Sequence, residues 1–229
     1  MELKNYIDGH WRHATGVELT AVLDPKTGET LAQTQSSSVE DVDMAVTIAA
    51  ETFITWGRTP PAERIKLLLE LKALMEAYSD DIAELIVYEN GKTMEEAQDE
   101  LHHAIANVGA ACGIASTEQN LGSEFVVDGV DDFVNSGSIG VVGIITSFDF
   151  PLLFPFSFIP IVLATGNTFV LKPSARAPLS MQMVVELMEV AGFPRGVVNM
   201  VHGRTDTANA IIGHPLVKAV RFGGKTAVC

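Results

Sequence analysis

The chain is poor in cysteine and in basic residues, and both shortages exclude classes of protein. Its two cysteines, Cys112 and Cys229, form no CxxC pair and have no metal-ligand spacing, so neither a disulfide framework nor a zinc site is expected. The 15 basic residues stand against 29 acidic ones, and the formal net charge of -14 repels nucleic-acid backbones and anionic membranes. This composition favours a reduced, cytoplasmic protein that binds neither nucleic acid nor metal.

The sequence also lacks an uninterrupted apolar block. Its start, MELKNYIDGHWRH, mixes charged with apolar residues, which is untypical of a secretory signal. No charged residue occurs between Asp149 and Lys172, a window almost long enough to cross a bilayer. Three prolines interrupt that window, and proline disrupts a continuous helix. We therefore expect neither export nor a membrane span.

The first half of the chain predicts short strands and then long helices. The segments NYIDGHW, ELTAVLD and ETLAQTQ are strand-like and separated by turns, so we expect a small antiparallel lead-in. Ser38, with Asp41 three residues later, is typical of a capped helix start, and this helix extends to Trp56. Two further helices are predicted over residues 61–90 and 93–116.

The hydrophobic period changes after a hairpin predicted over residues 124–136. Apolar strands then alternate with helical segments, which predicts a Rossmann-like α/β fold with a parallel sheet flanked by helices. The N-terminal helices and the hairpin arm are additions to this layout. Strands are expected at 139–146, 168–172, 197–201 and 217–222, and helices at 152–163, 178–191 and 207–212.

Three loop segments should meet at one edge of this sheet. Parallel strands place their carboxyl ends together, and folds of this kind usually bind ligands there. Lys172 ends a hydrophobic strand, so its ammonium is suited to hydroxyl or phosphate oxygens, although it could be an ordinary surface lysine. The segments are 146–151, 172–176 and 223–226.

The nucleotide motifs of other folds are incomplete. The glycines at 137, 140 and 143 do not form GxGxxG. Gly224-Lys225-Thr226 and Gly91-Lys92-Thr93 lack the upstream glycine of a phosphate loop, which is Ala219 in the first case and Ile86 in the second. A nucleotide triphosphatase is therefore not expected.

Longer segments resemble the aldehyde dehydrogenase family over essentially the whole chain. PPAERIKLLLELKALME, ENGKT, ITSFDFP, ATGNTFVLKPS, EVAGFPRGVVNMVHG and HPLVKAVRFGGKT occur in the order and spacing found in that family. Tyr6-Ile7-Asp8-Gly9, Ala111-Cys112-Gly113-Ile114 and the apolar FPLLFPFSFIPIVLATGN are most similar to its methylmalonate-semialdehyde dehydrogenase subgroup. The resemblance implies an oxidoreductase with NAD as cofactor and, in the full-length enzymes, CoA as co-substrate.

The same resemblance implies roles for cofactor-binding residues. Thr146 and Phe148 would contact NAD on the nicotinamide side, and Lys172 would bind the adenosine ribose. Ala175 replaces the glutamate that usually grips the ribose hydroxyls, and the matching Arg176 follows it. Lys225 lies in the segment that is usually Gly-Ser-Thr and that holds the pyrophosphate, where its charge would suit phosphate.

The resemblance also implies an impaired oxyanion site. Asp149 occupies the position of an asparagine that donates to the oxyanion, and losing one such donor costs about 3 to 4 kcal/mol. An ionised aspartate would also repel the oxyanion by roughly 4 kcal/mol at a separation of about 4 Å. A protonated Asp149 could still donate, but that needs a strongly raised pKa.

The family's catalytic cysteine and general-base glutamate lie downstream of the segment at 224–226. Cys229 does not match that cysteine, and Cys112 is expected to pack within a helix. The resemblance thus implies that residues 1–229 are a truncated NAD-binding domain without the catalytic cysteine domain, inactive towards aldehydes on its own.

Other functions stay open. The chain could be a non-catalytic interaction protein that forms a homo-oligomer, or joins a full-length aldehyde dehydrogenase, through its 124–136 hairpin. It could instead be one half of a split enzyme, or a gene remnant. An edge strand at 217–222 would favour association in each case.

Overall fold

The computed structural model describes residues 1–117 and 137–224, and side chains outside 115–117 within those ranges. The predicted hairpin at 124–136, Lys225 and Cys229 lie outside the described residues. The strands are β1 (Glu2–Leu3), β2 (Asn5–Ile7), β3 (His10–Arg12), β4 (Leu19–Leu23), β5 (Thr30–Gln35), β6 (Val141–Ile145), β7 (Thr168–Lys172), β8 (Val198–Met200) and β9 (Val217–Phe222). The helices are α1 (Val39–Trp56), α2 (Pro61–Ala77), α3 (Ser79–Asn90), α4 (Met94–Thr117), α5 (Leu153–Phe156), α6 (Ile159–Ala164), α7 (Leu179–Val190) and α8 (Thr205–Ile212).

The central sheet has the order β3-β2-β8-β7-β6-β9. The four neighbouring strands β8, β7, β6 and β9 run parallel to one another. Every residue of β6, β7 and β8 is buried, as expected of strands covered on both faces. Alternate residues face opposite sides: Val142 and Ile144 lie in the core that includes α2–α7, whereas Val141 lies in the core with α1 and α8. The predicted Rossmann-like α/β layout is confirmed.

The predicted antiparallel lead-in is only partly correct. β4 and β5 are antiparallel, but β1 pairs with β5 in parallel. The hairpin of β2 and β3 joins the central sheet, where Tyr6 pairs with Met200 of β8. The hairpin pairs with β8, which would otherwise be the edge of the parallel strands. Because this pairing is antiparallel, the central sheet is mixed.

The helix starting at Ser38 is confirmed, and its capping box with Asp41 is complete. The single helix predicted over 61–90 is wrong, because it breaks at Tyr78 (φ −103°, ψ 24°) into α2 and α3. Asp80 and Asp81 follow in the first turn of α3, where carboxylates favour a new helix N-terminus. The predicted third helix corresponds to α4.

The single helix predicted over 152–163 is also wrong. Two short helices, α5 and α6, replace it. Proline has no N–H to donate, so it is tolerated in the first turn of a helix but not beyond it. Pro160 lies in the first turn of α6, where it starts a new helix.

No helix in the described ranges is both long and apolar enough to span a membrane. β9 lies at one edge of the described sheet and pairs there with β6. All its residues are exposed or half-buried, in contrast to the buried β6. This agrees with the edge strand expected at 217–222.

Candidate functional site

Backbone hydrogen bonds hold the carboxyl ends of neighbouring strands side by side. The Thr146 N–H donates to the carbonyl of Lys172 (3.2 Å), which joins the residues that end β7 and follow β6. The Gly223 N–H donates to the carbonyl of Ile145 (2.8 Å), which joins β9 to β6. The carboxyl ends of β6, β7 and β9 therefore lie next to one another, as predicted.

A cavity of about 600 Å³ opens at this edge, within the usual size of small-molecule sites. Each predicted site residue that the structure describes lines this cavity. These residues are Thr146, Phe148, Asp149, Lys172, Ala175 and Arg176. A fourth segment, residues 203–205 after β8, also lines it and was not predicted. The remaining predicted residue, Lys225, lies outside the described residues.

Lys172 is the buried cation of the cavity, with 6% of its surface exposed. Its Nζ donates to the carbonyls of Pro173 (2.7 Å) and Gly203 (3.3 Å) and has no carboxylate partner in the described ranges. Burial lowers its pKa to about 8. An ammonium has three N–H donors, so one remains for a ligand. The surface-lysine alternative is thus excluded.

His202 feels the charge of Lys172 and provides no counter-charge. The residue is fully buried, and burial, followed by the Lys172 charge, lowers its pKa to about 4. At neutral pH the imidazole is therefore uncharged. The next residue, Gly203, has φ +151° and passes so close to Thr207 that an added Cβ would lie 2.0 Å from its Oγ1. Only glycine fits where this backbone carbonyl receives the Lys172 bond.

Two buried hydroxyls on the cavity wall have no hydrogen-bond partner in the described part of the chain. They belong to Thr146 and Thr20. A buried polar group that lacks a partner costs about 1–3 kcal/mol. Since both residues line the cavity, a polar ligand could relieve this cost. The cavity thus fits a ligand rich in hydroxyl and phosphate oxygens, such as a dinucleotide.

Arg176 and Phe148 stack against each other at the cavity. The guanidinium lies 4.0 Å from the ring centroid, which is a favourable cation–π distance. Arg176 is exposed and Ala175 is half-buried, so this loop contributes one positive charge and one methyl group. It contributes no carboxylate.

Asp149 and Thr146 both follow β6, but Thr146 is buried whereas Asp149 is exposed. Its backbone carbonyl accepts a hydrogen bond from Lys92 Nζ (2.7 Å), while its carboxylate makes no hydrogen bond to the described residues. Its position on the cavity lining agrees with the prediction. The role in an oxyanion site stays a prediction.

A set of polar residues on α3, on α4 and in the loop between them holds the segment around Asp149 in place. Glu100, 4% exposed, accepts hydrogen bonds from the N–H groups of Leu152 (2.9 Å) and Leu153 (3.0 Å). It also forms an ion pair with Lys92, and Asn90 donates to the carbonyl of Phe148. We call these three residues, Asn90, Lys92 and Glu100, the α3–α4 clamp.

The clamp was not predicted from the sequence. Glu100 lies three residues after the buried Ala97 and four before the buried Ala104, so a charged side chain occurs on the apolar face of α4. That spacing was a signal of a buried, paired carboxylate. Cys112, also on α4, packs against the core away from the cavity, and burial raises its pKa.

The sequence model of the aldehyde dehydrogenase family matches residues 11–229. Malonate-semialdehyde dehydrogenase 1 of Geobacillus thermodenitrificans is 40% identical over 226 residues, which are 99% of this chain and 47% of that protein. Methylmalonate-semialdehyde dehydrogenase from Oceanimonas doudoroffii superposes with a TM-score of 0.90 at 35% identity, covering 96% of this chain and 45% of that one. An aldehyde dehydrogenase from Bacillus cereus, solved as its NAD+ complex, gives 0.88 at 30% identity over 99% of this chain and 47% of its own.

The chain spans about half the length of the curated relatives it matches. The matched region contains the parallel strands β6 to β9, the cavity and the α3–α4 clamp. The resemblance seen in the sequence motifs is therefore confirmed by the family match, the relatives and the fold. The chain belongs to the aldehyde dehydrogenase family.

Proposed function

We propose that this chain supplies the dinucleotide-binding half of an NAD-dependent aldehyde dehydrogenase that acts on malonate or methylmalonate semialdehyde. The relatives at 40% and 35% identity carry those substrate names, which supports the substrate class. The observation that carries the proposal is the composition of the cavity lining. It contains the buried ammonium of Lys172, which has no carboxylate partner in the described ranges, and the hydroxyls of Thr146 and Thr20, which have no hydrogen-bond partner there.

The predicted cofactor-binding residues have distinct roles in this proposal. Lys172 donates its remaining N–H to a ribose hydroxyl of NAD, and Thr146 donates its hydroxyl on the nicotinamide side. Phe148 offers an apolar wall beside Arg176, whose guanidinium lies 4.0 Å from its ring centroid. The family resemblance assigns Lys225, which lies outside the described residues, to binding the pyrophosphate. Bound NAD supplies hydride-accepting chemistry, and CoA would take up the acyl group in the complete enzyme.

The described part of the cavity lining holds no thiol that could attack an aldehyde. Asp149 would oppose an oxyanion, since like charges about 4 Å apart repel by roughly 4 kcal/mol. We therefore propose that this 229-residue chain alone does not oxidise aldehydes. Aldehyde-dependent NADH formation by the purified chain, lost on changing Asp149 or Cys229, would contradict this part of the proposal.

A second proposal concerns association. In the described sheet, β9 is an edge strand with half-buried apolar residues, and such edges favour pairing with another chain. A homo-oligomer, or a complex with a full-length aldehyde dehydrogenase, would cover it. Light scattering after gel filtration tests the first, and co-purification of the tagged chain with such an enzyme tests the second. A stable monomer that captures no such enzyme would contradict both.

Calorimetric titration with NAD tests the main proposal. The native chain should bind NAD, and Lys172→Ala should bind at least about tenfold more weakly, because a charge-assisted hydrogen bond is lost. Lys66→Ala is the matched control, since Lys66 is an exposed lysine on α2 outside the cavity. Absence of NAD binding by the native chain, or equal binding by native and Lys172→Ala, would contradict the proposal.

A further inference from the structure

Two cations on the segment that follows β7 lack a carboxylate partner in the described part of the chain. Lys172 donates only to backbone carbonyls, and Arg176 stacks on the Phe148 ring. A third cation on the cavity lining, Arg204, differs because it pairs with Glu18 at 3.3 Å. On the described cavity lining, the positive charge without a carboxylate partner is thus concentrated on one short segment.

This segment lies where a dinucleotide fold reads the adenosine ribose. In such folds an acidic residue near the end of the second strand of the unit accepts from the ribose 2′-hydroxyl, whereas a nearby arginine accommodates a 2′-phosphate. β6 is the first strand of this unit and β7 is the second, and β7 ends at Lys172. The loop then provides Ala175 and Arg176 in place of any carboxylate.

Asp149 is the single carboxylate on the described cavity lining, and it follows a different strand, β6. Lys172 and Arg176 are therefore the charged side chains at the end of β7. The Arg176 guanidinium lies 4.0 Å over the Phe148 ring and makes no hydrogen bond to the described residues, and a guanidinium can bind a phosphate through two of its N–H donors. The buried ammonium would gain a counter-charge from the same phosphate.

We propose that this cavity selects a 2′-phosphorylated dinucleotide, NADP, over NAD, with Arg176 and Lys172 binding the 2′-phosphate and Ala175 leaving room for it. The inference rests on the proposed function, because it ranks two dinucleotides at the same cavity, where NAD remains a ligand that binds more weakly than NADP. It concerns binding by the residues of this chain and needs no catalytic turnover.

Calorimetric titrations of the purified chain with NAD and with NADP test this selection. NADP should bind about tenfold more tightly than NAD, the gain expected from one charge-assisted contact. Arg176→Ala should lower the ratio of NADP to NAD affinity by a similar factor. Arg58→Ala is the matched control: Arg58 is exposed and follows α1, whose last residue, Trp56, bonds to Asn167 at the opposite end of β7.

A second pair of variants separates charge from size. Ala175→Glu should shift the preference to NAD, because the carboxylate repels the 2′-phosphate and accepts from a free hydroxyl. Ala175→Gln has nearly the same volume without the charge and should keep most of the preference for NADP. Thermal melting of each variant verifies folding, and Arg176, which is exposed, provides the readout if the Ala175 variants unfold.

The outcomes distinguish the two proposals. NAD binding that equals or exceeds NADP binding overturns this inference and leaves the proposed function standing. An affinity ratio unchanged by Arg176→Ala does the same. No binding of either dinucleotide overturns the proposed function and this inference together.

Discussion

Lys92 and Glu100 form a largely buried ion pair that holds the segment carrying Asp149. The side chains of Lys92 and Glu100 are only 17% and 2% exposed. Lys92 also donates to the Asp149 carbonyl, while Glu100 accepts from the N–H groups of Leu152 and Leu153. This ion pair therefore holds the backbone at Asp149 on one side of a turn and at Leu152 and Leu153 on the other.

Removing Lys92 should cost far more stability than removing a surface lysine. Lys92→Met leaves the Glu100 carboxylate buried without its counter-charge, which should lower the free energy of unfolding by about 3 kcal/mol. Lys72→Met is the matched control, because Lys72 pairs with Glu76 (3.0 Å) on the more exposed surface of α2. Its loss should cost at most about 0.5 kcal/mol.

Urea unfolding of the two variants measures this difference. Adding Glu100→Gln to Lys92→Met should recover part of the loss, because the neutral amide oxygen can still accept from the Leu152 and Leu153 N–H groups. Equal losses for Lys92→Met and Lys72→Met would show that the clamp contributes no more than a surface pair.

Stability should rise with pH where Lys172 loses its proton. Burial lowers the pKa of Lys172 from 10.5 to about 8. Between these values the unfolded chain binds a proton that the folded chain does not, so the free energy of unfolding increases with pH. Lys172→Met should lack this increase. Urea unfolding of the native chain and of Lys172→Met at several pH values across this window gives the difference in their free energies of unfolding. The contributions of other titrating groups cancel in that difference. A difference that does not change with pH would contradict the assignment to Lys172.

Glu89 should give a pH dependence of the opposite sign. It is buried and accepts hydrogen bonds from the Leu179 N–H and from the N–H (3.0 Å) and hydroxyl of Ser180 at the start of α7. Burial raises its pKa from 4.5 to about 7 despite these bonds. Between those values the folded chain retains a proton that the unfolded chain releases, so stability falls as pH rises.

Glu89→Gln removes the titrating group while keeping a similar shape. The difference in unfolding free energy between the native chain and this variant should therefore decrease from pH 4.5 towards pH 7. Thermal melting at fixed pH steps measures it. A difference that stays constant across the window would exclude Glu89 as its source.

Asp149 should weaken dinucleotide binding by electrostatic repulsion. It is the only carboxylate on the described cavity lining. Asp149→Asn should raise affinity for NADP or NAD about twofold at low salt, the effect of roughly 0.5 kcal/mol between charges in water. The gain should disappear at high salt.

Calorimetry at two salt concentrations checks the Asp149 effect. Glu95→Gln is the control, because Glu95 is exposed on α4 and outside the cavity. An equal gain from both variants would mean that net charge, not position, sets the effect.

The parallel core could be predicted from the sequence because its pattern is local. β6 and the central residues of β7 are apolar, so burial on both faces was expected, and parallel strands fixed where Thr146 and Lys172 would meet. The meeting of the segments 146–151 and 172–176 followed from the same rule, but the contact between Phe148 and Arg176 was not predicted.

The rest depends on contacts between distant parts of the chain. Glu100 bonds to Leu152, which lies 52 residues away, and no local pattern specifies that partner. The β2 hairpin could not be placed before β8 was known to offer an edge. The break at Tyr78 was missed because apolar spacing continues across it, so periodicity alone predicted one helix.

Amide hydrogen exchange with and without dinucleotide tests the central claim most directly. Binding at the proposed cavity should slow exchange in peptides covering residues 145–149, 172–176 and 203–205, which line it. Peptides from α2, which does not line it, should be unchanged. Slowed exchange confined to other parts of the chain, or none at saturating NADP and NAD, would contradict the account.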